Sequence, residues 1–137
     1  MKYQYQEFEV TPSPATPRKK IIYRPVIPVI LLNKKRIVGY QAIVDSGADY
    51  CLFEELVTSY LGIKLSTGKK RKIRGIGGKE IKGYQLKILF GVAGKEYETN
   101  VIFSKEIPQN SFDVLGNNGF FDHFKVTFNY PKYIEVV

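Results

Sequence analysis

Residues 42–51 read AIVDSGADYC, an apolar run that ends in an acid and continues into small turn residues. Gly47 permits a backbone conformation that a β-carbon would penalise. Ala48 is small enough to lie against a second copy of the same loop, and Ser46 can donate a hydrogen bond across such a contact. The stretch therefore predicts a tight turn that presents the carboxyl of Asp45 and that suits two such turns meeting face to face.

A pair of carboxyls is chemically useful where a single one is not. Two carboxyls about 3 Å apart cannot both ionise, so they share a proton. The charged member can act as a general base on water, and the protonated member can polarise a carbonyl and then protonate a leaving amine. No second Asp-[Ser/Thr]-Gly occurs in the chain, and neither Asp113 nor Asp122 precedes small turn residues. If this chemistry operates, the second acid must come from another copy, so a homodimer with a twofold axis between two Asp45 residues is predicted.

Length and composition fit one domain with an apolar core. The chain has 137 residues, of which 44% are apolar, and it contains one cysteine and one histidine. One cysteine excludes an intramolecular disulfide, and the pair cannot supply the four N/S ligands of a structural zinc site. We expect no metal and no other cofactor. The polar start MKYQYQEFEV is unlike a signal peptide, and we expect a cytoplasmic protein.

The net charge of +8 raises the possibility of an anionic partner. Much of the excess lies in three clusters, residues 18–20, 34–36 and 69–72. They fall at the ends of apolar runs, where lysines commonly occupy solvated turns and guard strand edges. A basic barrel that binds nucleic acid is the alternative, but the aromatic residues are not interleaved with the basic ones as a stacking platform requires. We therefore predict no nucleic-acid partner and no membrane association.

Short apolar segments separated by turn residues predict a mainly β protein. The predicted strands cover residues 3–10, 21–32, 37–45, 69–92 (two strands), 97–105, 112–116 and 125–137 (a hairpin). Helical spacing predicts a helix over 53–62 that ends at Gly62, and NNGFFDHF predicts one or two helical turns. The pattern favours a small β-barrel or β-sandwich with one or two short helices.

Two glycine-containing segments support the catalytic interpretation of Asp45. RGIGGKE, residues 74–80, is either an ordinary glycine hairpin or a flap whose backbone binds substrate and excludes water. FDVLGNNGFF, residues 112–121, is either a plain strand-to-helix turn or an echo of AIVDSGADYCLF that lies beside the catalytic strand and supports it. An Asp-Ser-Gly turn on its own is more often an ordinary surface turn, so the catalytic interpretation depends on these two further segments.

Taken in order, the acid turn, glycine hairpin, apolar-apolar-Gly segment and final aromatic hairpin resemble the retropepsin-like aspartic proteases. This single-domain family includes the retroviral proteases and their prokaryotic and cellular relatives. The resemblance extends from about Tyr23 to Tyr130, and the ending HFKVTFNY is similar to the cellular and bacterial members. The matched residues are Arg24-Pro25, Asp45-Ser46-Gly47-Ala48-Asp49, Gly75-Ile76-Gly77-Gly78 and Val114-Leu115-Gly116.

The resemblance implies a role for each matched position. Asp45 would be the catalytic acid, supported by Ser46, Gly47 and Ala48. Substrate would be bound by Asp49, Gly75, Ile76, Gly77 and Gly78. Arg24, Leu115, Gly116 and Asn117 would form the dimer contact and the support of the catalytic turn, with Arg24 a candidate to reach Asp49 of the other subunit. Viral relatives commonly carry an arginine where this chain has Asn117.

The resemblance also implies a fold, domain limits and an activity. The fold would be mainly β, a small closed β-barrel of the acid-protease type with one or two short helices, assembled as a homodimer. Residues 1–20 would be an N-terminal extension with a Pro-rich loop, and residues 21–137 would be the protease domain. The implied activity is a homodimeric aspartic endopeptidase that acts on a peptide or protein substrate. The alternative is a catalytically weak or inactive domain of the same fold that dimerises or binds peptides.

Overall fold

A computed structural model describes residues 1–15, 17–18, 20–75, 78–107 and 111–137. The strands are β1 (Lys2–Gln4), β2 (Gln6–Val10), β3 (Lys20–Arg24), β4 (Val26–Asn33), β5 (Arg36–Val44), β6 (Leu52–Glu54), β7 (Lys69–Arg74), β8 (Glu80–Val92), β9 (Lys95–Ser104), β10 (Asp113–Leu115), β11 (Val126–Asn129) and β12 (Tyr133–Val136). One α-helix, α1 (Leu56–Leu61), and one 3-10 turn, Leu65–Thr67, complete the described elements.

The main sheet closes on itself as a barrel. Its strand order is β4-β5-β10-β6-β9-β8-β7, and β4 also pairs with β8. That additional pairing, which joins Leu31 to Phe90, turns six strands into a ring and leaves β7 outside it as an edge strand. The predicted mainly β barrel is confirmed.

Alternating burial shows why these segments form the barrel wall. In β4, Val29 and Leu31 are fully buried while Pro28 and Ile30 face outward, which is the period of two expected for a strand with one apolar face. Aromatic rings fill the interior, with Phe53 and Phe90 in edge-to-face contact at 5.9 Å between centroids. The interior of the barrel is a packed, largely apolar core.

The helix is shorter than the sequence pattern predicts. It spans Leu56–Leu61 and ends as predicted at Gly62, whose φ of 68° lets its N–H donate to the Ser59 carbonyl. The prediction that the helix begins at residue 53 is wrong, because Leu52–Glu54 pair instead with β9 and β10. The segment NNGFFDHF forms hydrogen-bonded turns, such as Phe121 N–H to the Gly116 carbonyl at 3.2 Å, rather than a helix.

The two ends of the chain meet in a separate small sheet. Strand β1 pairs antiparallel with β12, and β12 pairs with β11 in the predicted final hairpin. The predicted single strand over residues 3–10 is two strands, because β1 pairs with β12 whereas β2 pairs with β3. No helix among the described residues is long and apolar enough to cross a membrane.

Candidate active site

The turn after β5 presents the carboxyl of Asp45 to solvent. Its backbone N–H donates to the Leu115 carbonyl at 3.0 Å, which fixes the end of β5 against β10. The Asp45 carbonyl accepts the Ala48 N–H at 3.2 Å, and its side-chain Oδ1 accepts the Gly47 N–H at 2.9 Å. Ser46 and Gly47 are exposed beside it. One carboxylate oxygen is therefore held by the turn, while Oδ2 accepts no hydrogen bond from the described residues.

Strand β10 lies directly beside the strand that carries Asp45. The two are parallel, with Asp113 opposite Ala42 and Leu115 opposite Val44. Leu115 is fully buried, so β10 holds the turn that carries Asp45 through both a packed side chain and a backbone hydrogen bond.

Gly116 makes this arrangement possible. A β-carbon at this position would lie 2.3 Å from the Tyr50 carbonyl oxygen and 2.8 Å from that of Ala48. Real β-carbons do not approach backbone oxygens so closely, so any other residue would push the two loops apart. Gly116, which the sequence pattern placed at the end of the supporting strand, is required because the backbones approach closely here.

The two residues after Gly116 hydrogen-bond to the end of the turn that carries Asp45. Asn117 N–H donates to the Ala48 carbonyl at 2.8 Å, and Asn118 N–H donates to the Asp49 carbonyl at 2.8 Å. The Asn118 side-chain amide donates to the same Asp49 carbonyl at 2.7 Å. Asn117 thus supports the turn through its backbone. The sequence reasoning missed Asn118, whose only signal was a second asparagine next to a turn glycine.

Arg24 contacts two aromatic rings within its own chain. Its guanidinium lies 5.2 Å from the centroid of Phe8 and 5.7 Å from that of Phe112. Such contacts orient a cation without neutralising it. The expected contact between Arg24 and Asp49 of a second subunit stays a prediction, and Asp49 itself is exposed.

The predicted flap corresponds to the β7–β8 hairpin. Gly75 N–H donates to the Lys79 carbonyl at 3.0 Å, and Gly78, with φ of 75°, donates to the Gly75 carbonyl at 3.2 Å. Both glycines are exposed. Two residues assigned to the flap tip, Ile76 and Gly77, lie outside the described residues.

Two solved structures resemble this arrangement over most of the chain. A retropepsin-like aspartic protease from Rickettsia conorii matches with a TM-score of 0.61 at 18% identity, covering 96% of this chain and 100% of that one. EIAV protease complexed with the inhibitor HBY-793 matches with a TM-score of 0.53 at 21% identity, covering 69% of this chain and 82% of that one. The chain has a retropepsin-like fold. No protein-family model matches the sequence, and no curated protein matches it.

Within this retropepsin-like fold, the single cysteine and the single histidine both make packing contacts with their own chain. Cys51 is fully buried, and burial raises the pKa of its thiol to about 12. Its N–H donates to the Asn118 carbonyl at 3.3 Å. His123 stacks on Tyr97 at 4.2 Å between centroids and lies 3.7 Å from Asp122. A buried thiol with a raised pKa stays protonated near neutral pH and is a poor nucleophile.

Asp113, which the sequence analysis considered only as a possible second catalytic acid, is a buried acid in β10. Asp113 is 7% exposed, and its Oδ1 accepts the Glu54 N–H at 3.0 Å. Burial raises the pKa of Asp113 from 3.8 to about 6; the hydrogen bond from Glu54 N–H lowers it and the Glu54 charge raises it. The Glu54 carboxylate in turn accepts the Tyr40 hydroxyl at 3.2 Å.

Replacement of Asp113 by Asn is expected to stabilise the protein selectively above neutral pH. The folded chain binds the Asp113 proton more tightly than the unfolded chain, so stability present below about pH 4 is lost as pH rises through about 6. An Asn side chain keeps the hydrogen-bond acceptor but carries no charge. We expect Asp113→Asn to raise the free energy of unfolding by about 1–2 kcal/mol at pH 8 and to leave it nearly unchanged at pH 4. Urea unfolding at both pH values measures this, and an equal difference at both would contradict it.

Proposed function

We propose that this protein is an aspartic endopeptidase that works as a homodimer with one Asp45 from each chain. The observation that carries the proposal is the exposed Asp45 carboxylate at the end of β5, with one oxygen fixed by Gly47 N–H and the other accepting no hydrogen bond from the described residues. The retropepsin-like fold around it supports the same reading.

The other two aspartates considered as a second acid each accept a hydrogen bond from a backbone N–H within the chain. Asp113 is buried and accepts the Glu54 N–H, and Asp122 accepts the Gly119 N–H at 3.0 Å. A second Asp45, related by a twofold axis, would meet the first with the same geometry. The proposed active site is therefore shared between two chains.

The proposed reaction needs no covalent intermediate. The ionised carboxyl accepts a proton from the attacking water as the new C–O bond forms, and the protonated carboxyl donates a hydrogen bond to the substrate carbonyl. When the tetrahedral intermediate breaks the C–N bond, a proton passes to the leaving amine. The pair returns to a singly protonated state, so the protons balance over one turnover.

An extended peptide fits this site by adding its backbone to nearby strands. Leu52 and Val114 are half-buried neighbours in the ladder beside the catalytic turn, and they offer apolar contacts to side chains next to the cleaved bond. The glycines of the β7–β8 hairpin would cover the bound peptide from the other side.

Binding of a statine-type peptide, whose hydroxyl imitates the tetrahedral intermediate, tests the proposal. Isothermal titration should give one inhibitor per two chains, and Asp45→Asn should weaken binding at least about 100-fold, because such mimics exploit contacts made in the transition state. Glu96→Gln, which neutralises an exposed carboxylate on β9, is the matched control and should bind as the wild type does.

Two results would contradict the proposal. One is a stoichiometry of one inhibitor per chain. The other is a statine peptide that binds no better than its substrate-like counterpart, both to the wild type and to the Asp45→Asn variant. The second result is the one expected of an inactive peptide-binding domain that keeps the same fold.

A further inference from the structure

The positive charge of the chain is concentrated on one hairpin. Residues 69–82, which include β7 and the start of β8, contain seven Lys or Arg residues and one Glu, a net charge of +6 against +8 for the whole chain. Solubility alone does not require such an uneven distribution. Cations this close repel one another, and an anion bound among them would relieve that repulsion.

A groove lies at the base of this hairpin, where it meets the end of β9. Its volume is about 690 Å³, and five cationic side chains line it: Lys70, Arg71, Lys72, Lys82 and Lys105. Buried Gly83 and Phe103 contribute its floor. We call this feature the basic groove.

Several of these cations form no ion pair with any residue that the structure describes. Lys105 lies 3.7 Å from Glu55, and Arg71 donates to the Gln85 side chain at 2.9 Å. Among the described residues, no ion pair involves Lys70, Lys72 or Lys82. The basic groove therefore keeps uncompensated positive charge near solvent.

One carboxylate is already bound in the basic groove. Glu106, which also lines it, accepts the backbone N–H of Lys82 at 2.6 Å. The Glu106 N–H donates to the Ser104 hydroxyl at 3.0 Å, and that hydroxyl donates to the Lys82 carbonyl. In this internal contact a backbone N–H of the groove binds a carboxylate oxygen.

The basic groove lies on the same sheet as the catalytic turn. Val114 pairs with Leu52, and Leu52 pairs with Ile102, the residue before Phe103. Three inter-strand steps of about 4.8 Å separate β5 from β9, so the end of β9 that borders the groove lies roughly 15 Å from the strand that carries Asp45. An extended peptide covers that distance in about four or five residues.

The surroundings favour a peptide over a nucleic acid. Strand β7 is an edge strand, so one side of its backbone is open to pairing with an extended chain. The aromatic residues of the groove, Tyr84 and Phe103, are half-buried and buried, so neither presents an open face on which bases could stack.

We propose that the basic groove binds acidic side chains of the substrate, so that the peptidase prefers Asp or Glu about four or five residues from the cleaved bond. This inference rests on the proposed function. It specifies the substrates as peptides with acidic residues at a distance from the cut, a preference that apolar contacts near Asp45 would not produce. The preference is electrostatic, and raising the salt concentration weakens it.

Three fluorogenic peptides with one apolar centre test the inference. They carry Asp pairs, Asn pairs or Lys pairs about four and five residues from the expected cut, on both sides. For the wild type, kcat/KM for the Asp peptide should exceed that for the Asn peptide about fivefold to tenfold at low salt, the scale of two or three partly exposed ion pairs. The Lys peptide should be the poorest, and the differences should shrink in about 0.5 M NaCl.

Two double variants, each of which removes two lysine charges, test whether the preference for the Asp peptide arises in the basic groove. Lys70→Gln/Lys72→Gln should bring the Asp-to-Asn ratio close to one. Lys35→Gln/Lys132→Gln, which removes two exposed charges from the β4–β5 and β11–β12 turns, should keep the wild-type ratio. A ratio near one in the wild type, or equal losses in both double variants, would overturn the assignment.

Binding to the Asp45→Asn protein separates this inference from the proposed function. Fluorescence anisotropy with the same peptides should give the order Asp, Asn, Lys without any cleavage. If no peptide is cleaved by the wild type but this order persists, the proposed function fails and the groove assignment stands. A single-stranded RNA that displaces the Asp peptide and binds more tightly, with loss of RNA binding in Lys70→Gln/Lys72→Gln, would overturn the assignment in favour of a nucleic-acid site.

Discussion

An Asp45→Asn protein is expected to lose peptide hydrolysis by at least about 10³-fold to 10⁴-fold while its melting temperature stays close to that of the wild type. An amide cannot accept the proton of the attacking water. Its oxygen can still accept the Gly47 N–H that now bonds to Asp45 Oδ1, so the turn should keep its shape. Cleavage of a fluorogenic peptide and thermal unfolding measure the two effects separately.

Glu96→Gln is the control, since it removes an exposed carboxylate at a distance from the turn and should keep full activity. Adding inactive Asp45→Asn chains to a fixed amount of wild type should also reduce activity, because mixed dimers would hold only one ionisable carboxyl. Retained hydrolysis in a clean Asp45→Asn preparation would refute the enzymatic assignment. Activity that is unaffected by excess inactive chains, under conditions where subunits exchange, would refute the shared site.

Gly116→Ala is expected to produce the largest structural effect of any single methyl group near the site. The added carbon would lie 2.3 Å from the Tyr50 carbonyl oxygen, which is backbone and cannot rotate away. Overpacking of this kind costs about 1–3 kcal/mol and sometimes more, and here it also separates β10 from the turn that holds Asp45. We expect a free energy of unfolding lower by about 3 kcal/mol or more, and little or no peptidase activity in the fraction that folds.

Gly39→Ala provides the matched control for that experiment. Gly39 lies in β5, the strand that leads to Asp45, and a β-carbon there would meet no atom within 4 Å. The same substitution should therefore be neutral or slightly stabilising, since it reduces the freedom of the unfolded chain. Urea unfolding of the three proteins makes the comparison, and similar losses in both variants would show that the close contact at Gly116 is not the cause.

Features of the site that depend on local pattern could be predicted from the sequence. The strand before Asp45 and the β7–β8 hairpin follow from alternating apolar residues and from glycines at turns. The support from Leu115 and Gly116 could be predicted because an apolar strand that ends in glycine repeats the pattern around Asp45.

Features that depend on pairing across the chain could not be predicted in the same way. Strand β6 is three residues long, and its sequence also fits the start of a helix, so only its pairing with β9 and β10 decides its conformation. The pairing of β1 with β12 joins residues at opposite ends of the chain. Asn118 supports the turn through a side-chain hydrogen bond to the Asp49 carbonyl, and no periodic pattern encodes such a bond.

The basic clusters likewise show that contacts between distant parts of the chain could not be predicted from the sequence. The sequence shows the run Lys69–Lys72 and suggests a guarded strand edge, and β7 is indeed an edge strand. Its neighbours in space, Lys82 and Lys105, come from β8 and from the residue after β9. Only the barrel brings them together around one groove, which is why the proposed preference for acidic substrates follows from the structure and not from the sequence.

The central claim is that two chains each contribute one Asp45 carboxyl to a shared proton. A crystal structure of the protein bound to a statine-type peptide measures it most directly, through the distance between the two Asp45 carboxyls. We predict a dimer in which these oxygens approach to about 3 Å with the inhibitor hydroxyl between them. A monomer with bound inhibitor, or a dimer in which the Asp45 side chains point away from each other, would contradict it.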